Sequence, residues 1–274
     1  MSGPTGPIDS TRTTPQGGFT FTLARTDTSA VYVASSLFQG IAYFSEPVPI
    51  GSRPAVTLQP ILVYDTATTG PPIQVQHRLV TIARAKKDGT RGVLELVELV
   101  NPTTATRVAA DTTRPNWAGE IPHEAIQFEV GQGDVSAEAV ALRGDSVLVF
   151  GPIPPGGPKQ LTYSYVLPAT AQQLAIPIDQ PIEELLLLLE DTTTVVTAPG
   201  AEALGVELIE ERRFASYRAR GLGRGTDVAL AFPGRGFAIQ ALLPYVVALL
   251  ALALVAGLVV ALRRPRLASE RVPS

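Results

Sequence analysis

The chain has no cysteine, one methionine (Met1), two histidines (His77 and His123) and one tryptophan (Trp117) in 274 residues. The missing thiols remove disulfides, thiolate zinc sites and haem attachment in one step. A single methionine and two histidines offer too few soft donors for copper or related metals. Charge of one sign is lacking too. Lys and Arg total 22 against 25 Asp and Glu, a formal net charge of −3, so no strong field draws the chain to nucleic acid. No cofactor motif is present. Long apolar runs are also scarce, with one exception near the C-terminus.

That exception is the run 241–262, which opens at Ala241, closes at Leu262 and holds no charge. About twenty residues at roughly 1.5 Å rise each span some 30 Å, the thickness of a bilayer's hydrocarbon core. Pro244 falls in the first turn, where a missing N–H costs little. Arg263, Arg264 and Arg266 end the run and start a basic tail, 263–274. The expected anchor is therefore one transmembrane helix in the cytoplasmic membrane. The arginine stop favours a cytoplasmic tail, although Arg218, Arg220, Arg224 and Arg235 precede the span on its other side. Ala253, Gly257 and Ala261 form a small-xxx-small stripe, a candidate helix dimer face.

The remaining sequence is patterned as short strands punctuated by proline and glycine, each present 24 times. The fold class expected is mainly β: tandem β-sandwich domains followed by one C-terminal transmembrane helix. After a disordered 1–10, strand-like runs at 19–21, 30–34, 40–47 and 55–63 make a first domain, 11–64. The small, polar, Pro-terminated stretch 65–72 reads as a linker. A second β region, 73–168, opens with a period of two that places Ile73, Val75, His77 and Leu79 on one face. In 160–167, Leu161, Tyr163, Tyr165 and Leu167 share a face; 101–122 reads as loop. A further β region, 169–232, either packs with the second or forms a third small domain. Its run 182–189, with five leucines, is too short to cross a bilayer and reads as a buried strand. Residues 233–240 form the hinge to the anchor.

No catalytic constellation stands out. His123-Glu124 begins like a zincin motif, but Gln127 occupies the position of the second histidine. His77 reads as a satisfied or edge histidine rather than a ligand. The glycines of 221–225 precede a strand rather than a helix, so no helix N-terminus awaits a phosphate. With two such histidines a Ser-His-Asp triad is hard to assemble, and Glu183, Glu184, Glu190, Glu207, Glu210 and Glu211 read as solvated carboxylates. Trp117, placed in a loop, either stacks on a sugar or caps a sandwich; it is the candidate ligand contact.

Thr11-Arg-Thr-Thr-Pro-Gln-Gly-Gly-Phe-Thr-Phe21 resembles the T-x-T-D-x-x-G-x-F-x-F signature of carboxypeptidase regulatory-like domains, the transthyretin-like sandwiches. Gly17 suits a φ > 0 turn, and Phe19 and Phe21 place two rings on one face. Ala42-Tyr-Phe-Ser-Glu-Pro-Val48 looks like a later strand of the same domain in bacterial envelope proteins, where a second sandwich and a C-terminal anchor follow. Thr14 replaces the family's Asp, and the two strands that normally precede the motif are absent. The resemblance implies an upstream signal peptide and strands, with the β domains outside the cytoplasmic membrane. The function expected is non-catalytic: an envelope module bound to the lipid bilayer that works through a protein partner. The alternatives are a carbohydrate- or peptidoglycan-binding module, with a polysaccharide partner, and more remotely an anchored hydrolase.

Overall fold

Alternating side chains dictate the architecture, because a strand sends successive residues to opposite faces. The computed structural model describes residues 8–23, 27, 29–51, 53 and 55–233. The run from Ala241 to Leu262, the arginines Arg263 and Arg264, and the stripe Ala253, Gly257 and Ala261 lie outside the described residues, among which no helix is long and apolar enough to cross a membrane.

The chain is mainly β. Its N-terminal part carries β1 (Val31–Tyr32), β2 (Ser35–Phe38), β3 (Ile41–Phe44) and β4 (Val48–Pro49). They form two small ladders, β1 with β4 and β2 with β3. The expected strand at 55–63 is not formed; Pro60 can give no ladder hydrogen bond there. Phe19 and Phe21 also lie outside any strand, yet their rings meet edge-to-face at 5.7 Å. The stretch read as a linker holds β5 (Thr66–Ala67), which pairs in parallel with β8 (Thr106–Arg107). Tyr43 ties the N-terminal part to this ladder: its hydroxyl lies 2.8 Å from Thr106 Oγ1 and donates to the Tyr64 carbonyl at 3.1 Å.

The body of the protein consists of β6 (Gln74–Ile82), β7 (Arg91–Val100), β9 (Trp117–Glu120), β10 (Ile126–Val130), β11 (Val140–Arg143), β12 (Ser146–Val149), β13 (Lys159–Leu167), β14 (Gln173–Ile176), β15 (Ile182–Leu189), β16 (Val195–Thr197), β17 (Glu202–Ile209), β18 (Arg212–Leu222) and β19 (Val228–Ala231). The segment 101–122, expected as loop, thus contributes both β8 and β9. Seven strands form the principal sheet in the order β10-β13-β7-β6-β15-β18-β17. All its neighbours are antiparallel except β6 and β15. A parallel pair needs a long crossover, and the chain between these two strands supplies it, building on the way the smaller sheet β11-β12-β9. The third sheet is β14-β19-β16. The result is sandwich-like, and the described residues up to Ala231 cluster as one unit.

One face of the principal sheet is core. Leu161, Tyr163, Tyr165 and Leu167 of β13 are all buried, as their spacing predicts, beside Val93, Val97 and Leu99 of β7 and Leu185, Leu187 and Leu189 of β15. The outer face presents Leu79, Leu94, Leu96, Leu186 and Leu188, half-buried or exposed. Leu79 lies opposite both Leu96 and Leu186, and Thr81 opposite both Leu94 and Leu188. The leucine run of β15 is therefore buried on its inner side and partly open on the other.

His77 corrects one expectation. The register of β6 against β7 shifts between Val75 and His77, a bulge that spends one extra residue and reverses the faces beyond it. Val75 points into the core, whereas His77 and Leu79 point outward and Arg78, Val80 and Ile82 take the core positions. An apolar spacing of two cannot reveal such an inserted residue.

Leu185→Ala should cost about 2–5 kcal/mol in chemical denaturation, because it leaves a cavity in a packed core. Leu186→Ala, its neighbour on the open face, should cost less than about 1 kcal/mol.

Candidate functional site

The bulge that turns His77 outward carries Arg78 into the core, where only 4% of it remains exposed. An unpaired charge there would be prohibitive, and Glu95 of β7, 0% exposed, answers it. Arg78 Nε donates to Glu95 Oε2 at 2.7 Å. Tyr163 lies directly opposite Glu95 in the ladder and donates to the same oxygen at 3.1 Å, while Tyr165 donates to Oε1 at 2.7 Å. Three donors thus hold one carboxylate. The rest of the guanidinium reaches out of the sheet: Nη1 donates to the Pro177 carbonyl at 2.7 Å, just past β14, and Nη2 to the Glu120 carbonyl of β9 at 3.4 Å.

Burial would favour a neutral guanidine, but the charge of Glu95 and its hydrogen bond more than reverse this, so Arg78 is held above its ordinary value. Burial, reinforced by Glu95, pushes the phenols of Tyr163 and Tyr165 well above theirs. Both remain protonated donors through the physiological range.

Beside this cluster lies a cavity of about 10 Å³, lined among others by Arg78, Trp117, Glu120, Tyr163, Asp179 and Gln180. That is room for about one water. Trp117 forms its wall. It begins β9 rather than a loop, is 6% exposed, and donates its indole N–H to Gln180 Oε1 at 2.9 Å. Gln180 Nε2 returns a hydrogen bond to the Ala118 carbonyl at 2.9 Å. A Cβ at Gly119 would collide with the indole, so glycine is required for the ring to lie flat along its strand. Sugar stacking needs an open aromatic face; in this arrangement Trp117 acts as the cap.

Neither histidine joins the cluster. His123 is exposed and sits 2.8 Å from Asp145 Oδ2; that hydrogen bond and charge raise its pKa. His77 lies on the outer face with Nδ1 2.7 Å from Glu98 Oε2. Across the ladder from His77 is Glu184, which accepts from Arg220 Nε at 2.7 Å and is held below the usual carboxylate range by that bond. Arg218 meets Glu202 at 2.8 Å in the same way. These groups form a ladder of acidic and basic side chains beside the outer leucines. Sequence reading missed Arg78 and Glu95 as partners. Their one signal was two charges inside otherwise β-patterned runs, and pairing them needed the register.

No family model matches this chain, and no curated protein matches it. Among solved structures, an M1 zinc metallopeptidase from Deinococcus radiodurans aligns with a TM-score of 0.39 at 8% identity, over 59% of this chain and 43% of that one. A structure of the M1 enzyme from the same organism bound to a Tyr-Ser-Ala substrate gives 0.37 at 9%, over 58% and 42%. A protein from Legionella pneumophila, described as nutrient binding, gives 0.31 at 11%, over 62% and 71%. The chain thus spans less than half the length of the peptidase chains it aligns with. At these scores none of the alignments supports an argument about activity.

Stability should fall as pH rises above about 10, the ordinary tyrosine value. There the unfolded phenols lose protons that the folded ones keep, so the native state binds more protons and each phenol removes roughly 1.4 kcal/mol per pH unit until its folded pKa is reached. Tyr163→Phe should make that decline shallower in denaturant titrations above pH 10; an unchanged slope would place Tyr163 outside the buried network.

Proposed function

We propose that the protein is a non-catalytic, membrane-anchored β module of a bacterial envelope that works by binding another protein. The observation that carries this reading is a contrast between its two kinds of surface. The buried polar cluster is saturated by its own donors and encloses space for about one water, whereas apolar side chains stand on the outside. Leu94 is 48% exposed on the open sheet face, amid Leu79, Leu96, Leu186 and Leu188. A row of partly exposed apolar side chains of this kind marks interaction surfaces more often than catalytic ones. The apolar run 241–262 with its arginine stop supports anchoring, and the resemblance around Phe19 and Phe21 supports an envelope setting with the tail in the cytoplasm. Proteins that do their work through a broad face need no pocket.

The full chain should stay in the membrane fraction through alkaline carbonate washing. Leu252→Arg with Val255→Arg should release it, each charge costing about 2.5–3.5 kcal/mol at mid-span. In the membrane-bound protein, a photo-crosslinking side chain at position 94 should yield one discrete adduct, and the same group at the exposed position 112 none. Equal labelling at both positions, or an unanchored full chain, would count against this function.

A further inference from the structure

The principal sheet ends on one side in β10 and on the other in β17, and the two edges are unlike. β10 is five residues long, its register against β13 shifts between Ile126 and Glu129, and Gln127 takes a positive φ of 54°. Such irregularity is how a sheet edge is kept from pairing with another strand. β17 runs for eight residues, every one of them exposed, including Leu204, Val206, Leu208 and Ile209. Its only disruption is a register shift between Ala203 and Gly205, where Gly205 adopts φ 112°. Beyond that point Val206, Glu207, Leu208 and Ile209 pair regularly with β18 on one side and, among the described residues, with no strand on the other.

Charge selects the occupant. Between 202 and 211 the chain carries Glu202, Glu207, Glu210 and Glu211 and no basic residue. Glu202 is answered by Arg218 at 2.8 Å. Glu207, Glu210 and Glu211 form no ion pair among the described residues, and Arg212, on the strand behind, lies 3.8 Å from Glu190 instead. A second copy added edge to edge would gather the carboxylates of both chains along one seam, where like charges across a ladder destabilise. A strand carrying lysine or arginine would meet the opposite charge.

We infer that β17 is a strand-addition site for an extended segment of a partner protein in which apolar residues alternate with basic ones. The period follows from the edge. Val206 and Leu208 share one face and Glu207 the other, so the added strand places its apolar residues beside Val206 and Leu208 and its cations beside Glu207. Main-chain hydrogen bonds supply the affinity and the alternation supplies the choice. The open-face leucines remain free for a different contact.

The test uses the full chain in detergent micelles and ten-residue capped peptides of three kinds: valine alternating with lysine, valine alternating with glutamate, and the lysine composition in two blocks. The alternating lysine peptide should bind and should slow amide exchange at 206–209. The glutamate peptide and the block peptide should bind at least roughly tenfold more weakly, and binding should weaken with salt. Glu207→Lys, a change at an exposed side chain, should reverse the preference between the lysine and glutamate peptides. Equal binding of all three peptides, no binding of any, protection elsewhere than 206–209, an unmoved preference in Glu207→Lys, or a dimer that protects β17 without peptide would each overturn the proposal. It rests on the interaction-module reading but fails separately from it, since crosslinking at position 94 reports on that reading with the edge untouched.

Discussion

The buried pair of Arg78 and Glu95 is the constraint to which the rest of the sandwich answers. A guanidinium and a carboxylate taken out of water cost several kcal/mol each unless every charge finds partners. Here the groups come from five places in the chain: β6 and β7 supply the pair, β13 supplies two phenols, and the carbonyls of Glu120 and Pro177 receive the remaining guanidinium donors. Each partner belongs to a layer that must be placed for the charge to be tolerated. The pair therefore works less as a source of stability than as a specification of which strand lies beside which. The bulge at β6 is part of the same requirement, since without it Arg78 would face solvent and His77 the core.

That arrangement also bears on function. A carboxylate held by three donors in a site with room for about one water is committed to structure, and Trp117, hydrogen-bonded to Gln180 and laid along Gly119, closes the space above it. What the fold leaves available among the described residues lies outside the core: leucines on the open face of the principal sheet, a ladder of acidic and basic side chains from Glu98 to Glu202 beside them, and an edge at β17 with no further strand. The interaction module proposed above would meet its partner over these features, and tethering by the proposed C-terminal span would restrict the encounter to partners at the same membrane.

Much of this was legible in the sequence wherever a simple period held. The alternation of Leu161, Tyr163, Tyr165 and Leu167 named a buried face, and the leucines of 182–189 named a strand too short to be a span. Legibility failed where one residue altered the phase. The bulge before His77 inverted the faces of β6, and nothing local marks an insertion whose evidence is the register of the opposite strand. It failed again between 101 and 122, where a run rich in threonine and proline concealed β9 because four residues are too few to establish a period. Trp117 was singled out as a candidate ligand contact, yet its hydrogen bond turned on Gln180, 63 residues away. Pairs such as Arg78 with Glu95 depend on ladder alignment, which composition cannot supply.

The central claim is that the buried pair specifies the packing of this sandwich rather than serving chemistry, and a double-mutant cycle tests it most directly. Arg78→Met and Glu95→Leu, each alone, should lose about 3–5 kcal/mol of unfolding free energy, because each strands a buried charge. The double variant should be more stable than the weaker of the two singles, since no charge is left uncompensated. If the double variant instead loses the sum of the two single losses, the groups act independently and the account is contradicted.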